Sequence, residues 1–178
     1  MLRRSEVSPE DVFIDFGCGK GRMVLEAALL YRFARVVGVE LSPDLAAVAR
    51  GNVERNRRRL RTPQVEIVVS DVLTYPIPDD VTIAFFFNPF TGPIFGHVVS
   101  GLLASVDRSP RRLRIVYSAP VEEGIMLQTG RIRRVGSGRS FRSRRRTQLG
   151  IGLYEVDPAQ GGPVDPGASA FGLTDRGR

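Results

Sequence analysis

Residues 12–25 constrain the fold of this chain more than any other segment does. The segment starts with a short β-branched and aromatic run that is typical of a buried strand, and it ends in an apolar pattern that is typical of a helix. Between the two lie Gly17, Gly19 and Gly21. Glycine permits a positive φ and lets the backbone approach a ligand without a Cβ in the way, and the first amides of a helix are free to face that ligand. The segment therefore predicts a nucleotide-binding turn between a strand and a helix.

The spacing of these glycines and the acid before them narrow the choice of ligand. The dinucleotide-binding fingerprint is G-x-G-x-x-G, whereas the glycines here are spaced G-x-G-x-G and Asp15 lies two residues before Gly17. A carboxylate repels a pyrophosphate but attracts a ligand that carries an ammonium and a sulfonium. The turn therefore favours S-adenosylmethionine over a nicotinamide dinucleotide, and a plain tight turn without a ligand is the remaining alternative.

Two further acids close the next two predicted strands, residues 34–40 and 65–71. Glu40 follows Gly21 by 19 positions, which is the distance expected of a carboxylate that binds ribose hydroxyls. Asp71 closes the third strand, where its carboxylate can accept a hydrogen bond from an adenine amino group. The alternative for both acids is that they cap the turns that follow their strands.

Residues 12–93 resemble the class I S-adenosylmethionine-dependent methyltransferases. The resemblance lies in the motif D-x-G-x-G-x-G at residues 15–21 and in the two strand-end acids that follow it. It implies an α/β fold, namely a doubly wound, mostly parallel seven-stranded sheet with an antiparallel C-terminal strand. It also implies that the glycine turn holds the methionine part of the cofactor, that Glu40 holds the ribose, and that Asp71 and Val72 flank the adenine. The cofactor-binding residues expected on this basis are Asp15, Gly17, Cys18, Gly19, Gly21, Glu40, Leu41, Asp71, Val72 and Asn88.

Asn88, Pro89 and Phe90 follow the apolar run 81–87. Such a run is typical of a central strand buried on both faces, and open α/β sheets bind ligands at the carboxyl ends of such strands. A proline cannot continue a central strand, so the chain must turn there. The Asn88 side chain can accept hydrogen bonds from a substrate amine and hold its lone pair toward a methyl group. We therefore expect catalytic residues at Asn88, Pro89 and Phe90; the alternative is a turn with no role in acceptor binding.

The same three residues resemble two motifs of amino-group methyltransferases. One is the Asp/Asn-Pro-Pro-Tyr/Phe motif, of which this chain lacks one proline. The other is the Asn-Asn-Phe corner of the non-SET histone-lysine methyltransferases, which the chain also resembles at residues 12–17 and 21–28. The resemblance implies N-methylation of a protein or small-molecule amine. Among acceptors we expect a protein amine first, a small metabolite second and RNA third.

The remaining elements are expected from periodicity and capping signals. Ser42 and Pro43 mark the first turn of a second helix. A third helix starts at Pro93, and its predicted inner face consists of Ile94, Val98 and Leu102. The sheet is completed by a fifth strand at 112–118 and by an antiparallel pair at 132–135 and 149–156, with a short helix at 121–128.

Composition limits the class of protein. At 178 residues the chain is long enough for one buried core, and we expect one methyltransferase domain over residues 1–157 and a disordered tail over residues 158–178. No apolar run has the length of a membrane span and no signal peptide is evident, so we expect a cytoplasmic protein without a membrane partner. Cys18 is the only cysteine and no cluster has metal-ligand spacing, so we interpret Cys18 as a small residue of the turn and expect no metal.

The net charge of +7 comes almost entirely from arginine, because Lys20 is the only lysine. Two arginine clusters stand out. Residues 55–61 end the second predicted helix, where cations suit the helix dipole, and we interpret them as a solvated face. Residues 131–146 either gather an acidic substrate on the acceptor side or form a solvated strand and loop.

The predicted glycine turn begins after only 16 residues, which leaves little preceding chain to cover an acceptor pocket. We expect a pocket that is open, that is completed by a second subunit or partner, or that is built from residues 131–146. Two alternatives to an active methyltransferase remain. The short lead-in favours a non-catalytic cofactor-binding or interaction module, whereas the glycine spacing and Asp15 disfavour an NAD-dependent oxidoreductase.

Overall fold

The computed structural model describes residues 2–139 and 150–157, which form one mixed sheet with helices packed on both faces. The strands are β1 (Val12–Phe16), β2 (Arg35–Glu40), β3 (Gln64–Val69), β4 (Ile83–Phe86), β5 (Leu113–Ser118), β6 (Ile132–Arg139) and β7 (Gly150–Val156). The helices are α1 (Arg22–Leu30), α2 (Pro43–Asn56), α3 (Gly92–Arg108) and α4 (Glu123–Leu127).

The strand order in the sheet is β3-β2-β1-β4-β5-β7-β6. Strands β1 to β5 run parallel, and β7 lies antiparallel between β5 and β6. This arrangement confirms the predicted doubly wound, mostly parallel sheet with an antiparallel C-terminal strand. The chain builds outward from β1 to β3 and then returns to place β4 on the other side of β1. That reversal is the point where open α/β sheets bind ligands, beyond the carboxyl ends of the strands.

Strand β1 lies between two hydrophobic cores because its side chains alternate between the faces of the sheet. Ile14 and Phe16 pack in the core that includes α3 and α4, whereas Phe13 packs in the core beneath α1 and α2. All five residues of the strand are buried. Asp15 lies two positions after Phe13 and therefore shares the α1 face. The alternation thus buries a carboxylate next to the glycine turn.

The predicted elements are confirmed in type and order, with one error in orientation. Ser42 caps α2, since its Oγ accepts a hydrogen bond from the Leu45 amide at 3.4 Å. The predicted inner face of α3 is wrong at Ile94, which is 39% exposed, whereas the adjacent Phe95 is fully buried. Phe95 takes the inner position because its ring packs against that of Phe86, with 5.2 Å between the ring centroids.

Some predictions concern residues beyond those the structure describes. Residues 158–178 and the arginines at 142–146 lie outside the described ranges, so the tail, the domain boundaries and the role of residues 131–146 stay predictions. No helix within residues 2–139 and 150–157 has the length and apolar character needed to cross a membrane. In the same ranges no three His, Cys, Asp or Glu side chains are grouped so as to hold a metal ion.

Candidate cofactor and acceptor site

The predicted glycine turn lies at the carboxyl end of β1 and leads directly into α1. Gly17, Gly19 and Gly21 have φ angles of 71°, 56° and 74°, in the left-handed region that favours glycine. The amides of Gly17 and Cys18 both donate to the carbonyl of Val39, at 2.8 and 3.0 Å, and so tie the turn to β2. The backbone geometry therefore favours glycine at all three predicted positions.

A side chain would meet different surroundings at each of these glycines. A Cβ on Gly17 would lie 2.4 Å from the Cβ of Pro89, and a Cβ on Gly21 would lie 2.8 Å from the Cβ of Ala49. A Cβ on Gly19 would meet no atom of the described residues within 4 Å. Two of the glycines thus permit close packing of neighbouring segments, whereas Gly19 borders open space that a ligand can occupy.

Glu40, at the end of β2, joins the glycine turn to the start of α2. Its Oε2 accepts a hydrogen bond from the Gly19 amide at 2.8 Å, and its Oε1 accepts one from the Ser42 amide at 2.9 Å. The buried carboxylate therefore supports both turns around it, in agreement with the capping alternative. Each oxygen keeps a second lone pair that can accept from a ribose hydroxyl, and the ribose role of Glu40 stays a prediction.

Asp15 is a buried acid without a donor. Its side chain is 4% exposed, and no residue within 2–139 and 150–157 donates a hydrogen bond to its carboxylate. Burial raises the pKa of Asp15 well above its ordinary range, and the nearby Glu40 carboxylate raises it further. An uncompensated buried carboxylate destabilises the free protein. A cationic ligand beside Asp15 would remove that cost.

Cys18 has the properties of a structural residue. Burial raises the pKa of its thiol to about 12, and the charges of Asp15 and Glu40 contribute further. Such a thiol is protonated at neutral pH and is a poor nucleophile. Its sulfur packs closely on β2, since a Cβ on Gly38 would lie 2.8 Å from Sγ. These observations agree with the interpretation of Cys18 as a small residue of the turn.

The residues predicted to surround the adenine lie on a more open part of the edge. Asp71 is exposed and lies two residues beyond the end of β3 at Val69. Its Oδ1 accepts a hydrogen bond from the Leu73 amide at 2.9 Å, so the side chain caps its own turn. Val72 is half-buried, whereas Leu41 is 66% exposed. The adenine contacts expected of these three predicted residues stay predictions.

The acceptor loop, residues 87–91, connects β4 to α3 and contains the three predicted catalytic residues. Asn88 has a φ of 47°, and its Oδ1 is buried without a hydrogen-bond partner among the described residues. Pro89 packs on the first glycine of the turn. Phe90 points into the core beneath α3, where its ring meets Phe86 edge-on with 6.3 Å between centroids. The fold thus brings Asn88 and Pro89 to the glycine turn but directs the Phe90 ring away from it.

Phe87 is not among the predicted site residues, yet it faces the site. It is 54% exposed and, with Ser118, Asp15 and Glu26, lines a pocket of about 310 Å³ between α1 and the sheet. The remaining walls are mostly apolar. The sequence does not predict this orientation, because residues 85–87 are all phenylalanine and show no alternation of polar and apolar side chains. The available signal is strand alternation, which places Phe87 on the same face as Phe85.

The segment after β5 supports the acceptor loop. The Gly92 amide donates to Glu122 Oε1 at 3.1 Å, and the Glu122 amide donates to the Tyr117 hydroxyl at 3.3 Å. Ala119 has a φ of 51°, which costs a residue with a Cβ on the order of 1 kcal/mol. Asn88 and Ala119 therefore place left-handed backbone at the ends of two neighbouring strands, where functional sites often concentrate such strain.

The arrangement fits a cofactor with a cationic centre. Asp15 offers a buried negative charge without a donor, and Gly19 borders open space at the start of a helix. Glu40 keeps free lone pairs at the same edge of the sheet. Asp15 therefore suits the ammonium of S-adenosylmethionine, Gly19 lets the protein backbone lie close to the cofactor, and Glu40 can accept hydrogen bonds from the ribose hydroxyls.

Comparison with known proteins identifies the family. Residues 13–115, more than half of the chain, match a family described as a methyltransferase domain. The chain is 33% identical over 107 residues to the ribosomal protein L11 methyltransferase of Klebsiella pneumoniae, a match that covers 54% of this chain and 35% of that protein. It is 38% identical over 56 residues to a protein-lysine N-methyltransferase of Saccharolobus islandicus, covering 32% of this chain and 35% of that protein. The chain thus matches about a third of the length of these relatives.

The fold resembles that of solved methyltransferases. A SAM-dependent methyltransferase from Methanosarcina mazei superposes with a TM-score of 0.67 at 12% identity, covering 86% of this chain and 95% of that one. The likeness confirms the predicted fold, and the family match confirms the predicted enzyme class and its cofactor, S-adenosylmethionine. Because the family match covers more than half of the chain, the chain belongs to the class I S-adenosylmethionine-dependent methyltransferases.

Proposed function

We propose that this chain transfers the methyl group of S-adenosylmethionine to an amine nitrogen of a protein. The observation that carries the proposal is the Oδ1 atom of Asn88, which is buried in the acceptor loop without a hydrogen-bond partner among the described residues. An unsatisfied buried acceptor costs about 1–3 kcal/mol, and an incoming N–H removes that cost. The ribosomal-protein and protein-lysine methyltransferases to which the chain is similar are consistent with a protein acceptor.

The contacts of the acceptor loop support a positioning role for Asn88. Asparagine tolerates the left-handed conformation better than most residues do, so the φ of 47° at Asn88 is compatible with a stable loop. Pro89 packs against Gly17 and so holds the loop on the glycine turn. One packing contact therefore fixes the separation between the proposed acceptor position and the proposed methionine position, which is how proteins lower barriers by orientation.

S-adenosylmethionine supplies a methyl group bound to a positively charged sulfur. The chain's own residues supply position and charge. In our proposal, Asn88 Oδ1 accepts an N–H of the uncharged amine and thereby directs the nitrogen lone pair. Asp15 balances the positive charge of the cofactor amino group, and Glu40 accepts from the ribose. No nucleophilic side chain is needed, in keeping with the protonated thiol of Cys18.

Calorimetry with S-adenosylmethionine tests the cofactor assignment. Asp15→Ala and Glu40→Ala should each weaken binding about tenfold or more, because each removes a charge-assisted contact. Asp80→Ala is the matched control, since Asp80 is an acid at the opposite edge that pairs with Arg35; its affinity should equal that of the wild type. Unchanged affinity in both site variants would show that the assignment is wrong. Binding of NAD without binding of S-adenosylmethionine would favour the oxidoreductase alternative.

Turnover of the Asn88→Gly variant tests the acceptor assignment. Glycine removes the side chain but adopts a positive φ without strain, so the loop keeps its shape. We expect kcat to fall about 10²-fold while the affinity for S-adenosylmethionine stays close to that of the wild type. Full activity would remove Asn88 from the mechanism.

Methyl-labelled cofactor incubated with fractionated cell extract tests the acceptor class. Label in protein amines supports the proposal, whereas label only in small molecules or RNA contradicts it. Cofactor binding without transfer to any fraction would favour the non-catalytic module.

A further inference from the structure

We infer that this chain binds a double-helical nucleic acid by its phosphates, on a group of arginines at the amino edge of the sheet. The group, called the arginine patch below, consists of Arg32, Arg55, Arg58, Arg59 and Arg61. It lies where α1 and α2 end and where β2 and β3 begin. This binding is additional to the proposed methyl transfer and does not depend on it.

Hydrogen bonds join the two segments that carry the arginine patch. The Arg61 amide donates to the Ala28 carbonyl of α1 at 2.8 Å, and the Thr62 amide donates to the same carbonyl at 3.2 Å. The buried Thr62 Oγ1 accepts from the amide of the residue after Arg32 and donates to the carbonyl of the residue before it, both at 3.1 Å. Arg32 is therefore held beside Arg61, although the two are far apart in the sequence.

The side chains of the arginine patch face solvent. All five arginines are exposed, whereas Leu60, which lies among them, is half-buried against the core beneath α1 and α2. The guanidinium of Arg55 donates to Asn52 Oδ1, and that of Arg59 donates to Asn56 Oδ1. These amide partners are neutral, so they hold the guanidiniums at the surface without removing their charge.

The charge of the arginine patch is not neutralised within the described residues. None of its five arginines forms an ion pair with an acid there. Glu54 is the one acid of residues 28–33 and 52–63, and it pairs with Arg57 instead. Arg4 and Glu6 lie near the same end of α1 and contribute one charge of each sign. Like charges that are held together repel one another, and a polyanion removes that cost.

Neither composition nor the helix dipole explains the arginine patch. Arg35, Arg108 and Arg131 lie at the same edge, and each of them pairs with an aspartate. The arginines of this chain are therefore not left unpaired as a rule. A helix dipole favours a cation within the last turn only, which accounts for Arg55 but not for Arg61, beyond the end of α2. The interpretation of residues 55–61 as a solvated face thus leaves most of the patch unexplained.

The surroundings of the arginine patch disfavour a membrane or an acidic protein segment as its partner. Both kinds of partner are held by exposed apolar side chains as well as by charge. No large apolar side chain of residues 28–33 or 52–63 is exposed. The surface therefore offers charge without an apolar anchor, which suits a partner made of phosphates.

The same surface favours a double helix over a single strand. Single strands are bound largely by stacking of their bases on exposed aromatic rings. The two aromatic residues here, Tyr31 and Phe33, are 8% and 2% exposed and offer no such surface. A duplex keeps its bases stacked and presents rows of phosphates to its partner, and a guanidinium binds phosphate through two parallel hydrogen bonds.

The arginine patch and the acceptor loop lie at opposite edges of the sheet. The acceptor loop follows the carboxyl end of β4, whereas the patch precedes the amino ends of β2 and β3. A duplex on the patch therefore leaves the cofactor and acceptor site open, and we expect the duplex and S-adenosylmethionine to bind at the same time.

Fluorescence anisotropy of a short labelled DNA duplex tests the inference on the full chain. We expect a Kd on the order of 10⁻⁵ M at physiological salt, and a log Kd that rises linearly with the logarithm of the salt concentration. A duplex RNA of the same length should also bind, because contacts to phosphates carry no sequence information. Saturating S-adenosylmethionine should displace neither duplex.

A triple variant removes the part of the arginine patch that lies at the end of α2. Replacement of Arg55, Arg58 and Arg59 by glutamine should weaken duplex binding about 10²-fold and lower the salt slope by about three. Arg32→Gln with Arg61→Gln tests the other part and should lower the salt slope by about two. In both variants the affinity for S-adenosylmethionine should equal that of the wild type.

A second triple variant controls for net charge. Replacement of Arg112, Arg133 and Arg134 by glutamine removes the same number of charges, but these arginines are paired with Glu155 and Glu123. We expect this variant to bind the duplex with nearly the wild-type affinity and salt slope. The comparison therefore separates the arginine patch from the general attraction of a basic protein to nucleic acid.

Several outcomes would overturn the arginine patch and leave amine methylation intact. These are the absence of duplex binding, equal losses in the patch and control variants, and displacement of the duplex by S-adenosylmethionine. Anionic vesicles or polyglutamate that bind as tightly as the duplex through the same arginines would also overturn it, as would tighter binding of a single strand. Failure of the chain to bind S-adenosylmethionine would instead overturn the proposed function.

Discussion

The two edges of the sheet use acidic side chains in opposite ways. At the amino edge, where the parallel strands begin, arginine neutralises acids in seven ion pairs of the described residues: Arg35–Asp80, Arg108–Asp79, Arg112–Glu155, Arg114–Asp11, Arg131–Asp107, Arg133–Glu155 and Arg133–Asp157. At the carboxyl edge, Asp15, Glu40 and Asp71 have no lysine or arginine partner within residues 2–139 and 150–157. The acids of these amino-edge pairs are neutralised within the protein, whereas the three strand-end acids of the carboxyl edge leave their negative charge for a ligand.

The contrast is sharpest between two acids only four residues apart. Asp11 just precedes β1, and its carboxylate accepts hydrogen bonds from Thr82 Oγ1 at 2.7 Å and from Arg114 at 3.1 Å. Asp15, near the other end of β1, is at least as buried but has no donor in the described residues. Burial is therefore compensated within the protein at Asp11 and left uncompensated at Asp15. We interpret the first as stabilising the fold and the second as reserved for a cation.

Removal of Arg114 should give the largest loss of stability. The Arg114→Met variant leaves Asp11 buried without its cationic partner, and both side chains of this pair are nearly buried, with exposures of 11% and 12%. Breaking such a pair costs about 3 kcal/mol or more, which urea unfolding can measure. Affinity for S-adenosylmethionine at temperatures where the variant is folded should not change. An Asp11→Asn and Arg114→Met double variant should recover part of the stability; no recovery would show that the two residues do not act as a pair.

Substitution of Gly17 should lower methyl transfer by displacing the acceptor loop at the carboxyl edge. In Gly17→Ala the new Cβ would lie 2.4 Å from Pro89 Cβ, so the acceptor loop must move away from the glycine turn. We expect methyl transfer to fall about 10²-fold, since displacement of a catalytic loop by about 1 Å has effects of that size. Gly130→Ala is the control, because Gly130 also has a positive φ of 67° but lies before β6 at the amino edge, where no atom of the described residues lies within 4 Å of its Cβ position. Equal losses in both variants would mean that backbone strain alone, not the contact with Pro89, is responsible.

Neutralising Asp15 should stabilise the free protein and weaken cofactor binding. The pKa of Asp15 is higher in the folded than in the unfolded protein. Below the unfolded pKa of about 3.9 the side chain is neutral in both states and folding carries no charge penalty. As the pH rises through the folded pKa, the buried carboxyl ionises and stability is lost. Asp15→Asn should therefore raise the free energy of unfolding at neutral pH by on the order of 1 kcal/mol. The gain should vanish on acidification below the unfolded pKa. Lower stability of the variant at neutral pH would contradict the idea of an uncompensated charge.

Local sequence signals predicted the elements that form the carboxyl edge of the sheet. The glycine turn, the Ser42 cap and the order of the strand-end acids depend on short stretches of chain, and the structure has them in the predicted order. The packing of Pro89 on Gly17 joins residues far apart in sequence, and no local pattern reveals it. Likewise, whether a strand-end acid is paired depends on which arginine the tertiary fold brings to it.

The sequence also could not predict which side chains within an apolar run are buried and which are exposed. Phe85, Phe86 and Phe87 are chemically identical, so only the geometry of β4 decides which of them faces α1, which faces α3, and which is exposed. At the start of α3, Ile94 and Phe95 are both suitable for burial, and the aromatic cluster around Phe86 decides in favour of Phe95. Binary patterning therefore locates these elements but does not orient residues of similar hydrophobicity.

The smallest effect is expected from an exposed pair of the amino edge. Asp79 accepts hydrogen bonds from Arg108, which lower the pKa of its carboxyl. Because the pKa of Asp79 is lower in the folded than in the unfolded protein, its ionised carboxylate stabilises the folded protein above the unfolded pKa. This stabilisation is lost as the pH falls through the folded pKa. Because both side chains are about half exposed, solvent and salt screen the pair. Thermal unfolding of Asp79→Asn should thus differ slightly from the wild type at neutral pH and low salt, and not at all at high salt or in acid. A change in cofactor affinity would be the more damaging result, because it would mean that the arginine pairs of the amino edge influence the site at the opposite edge.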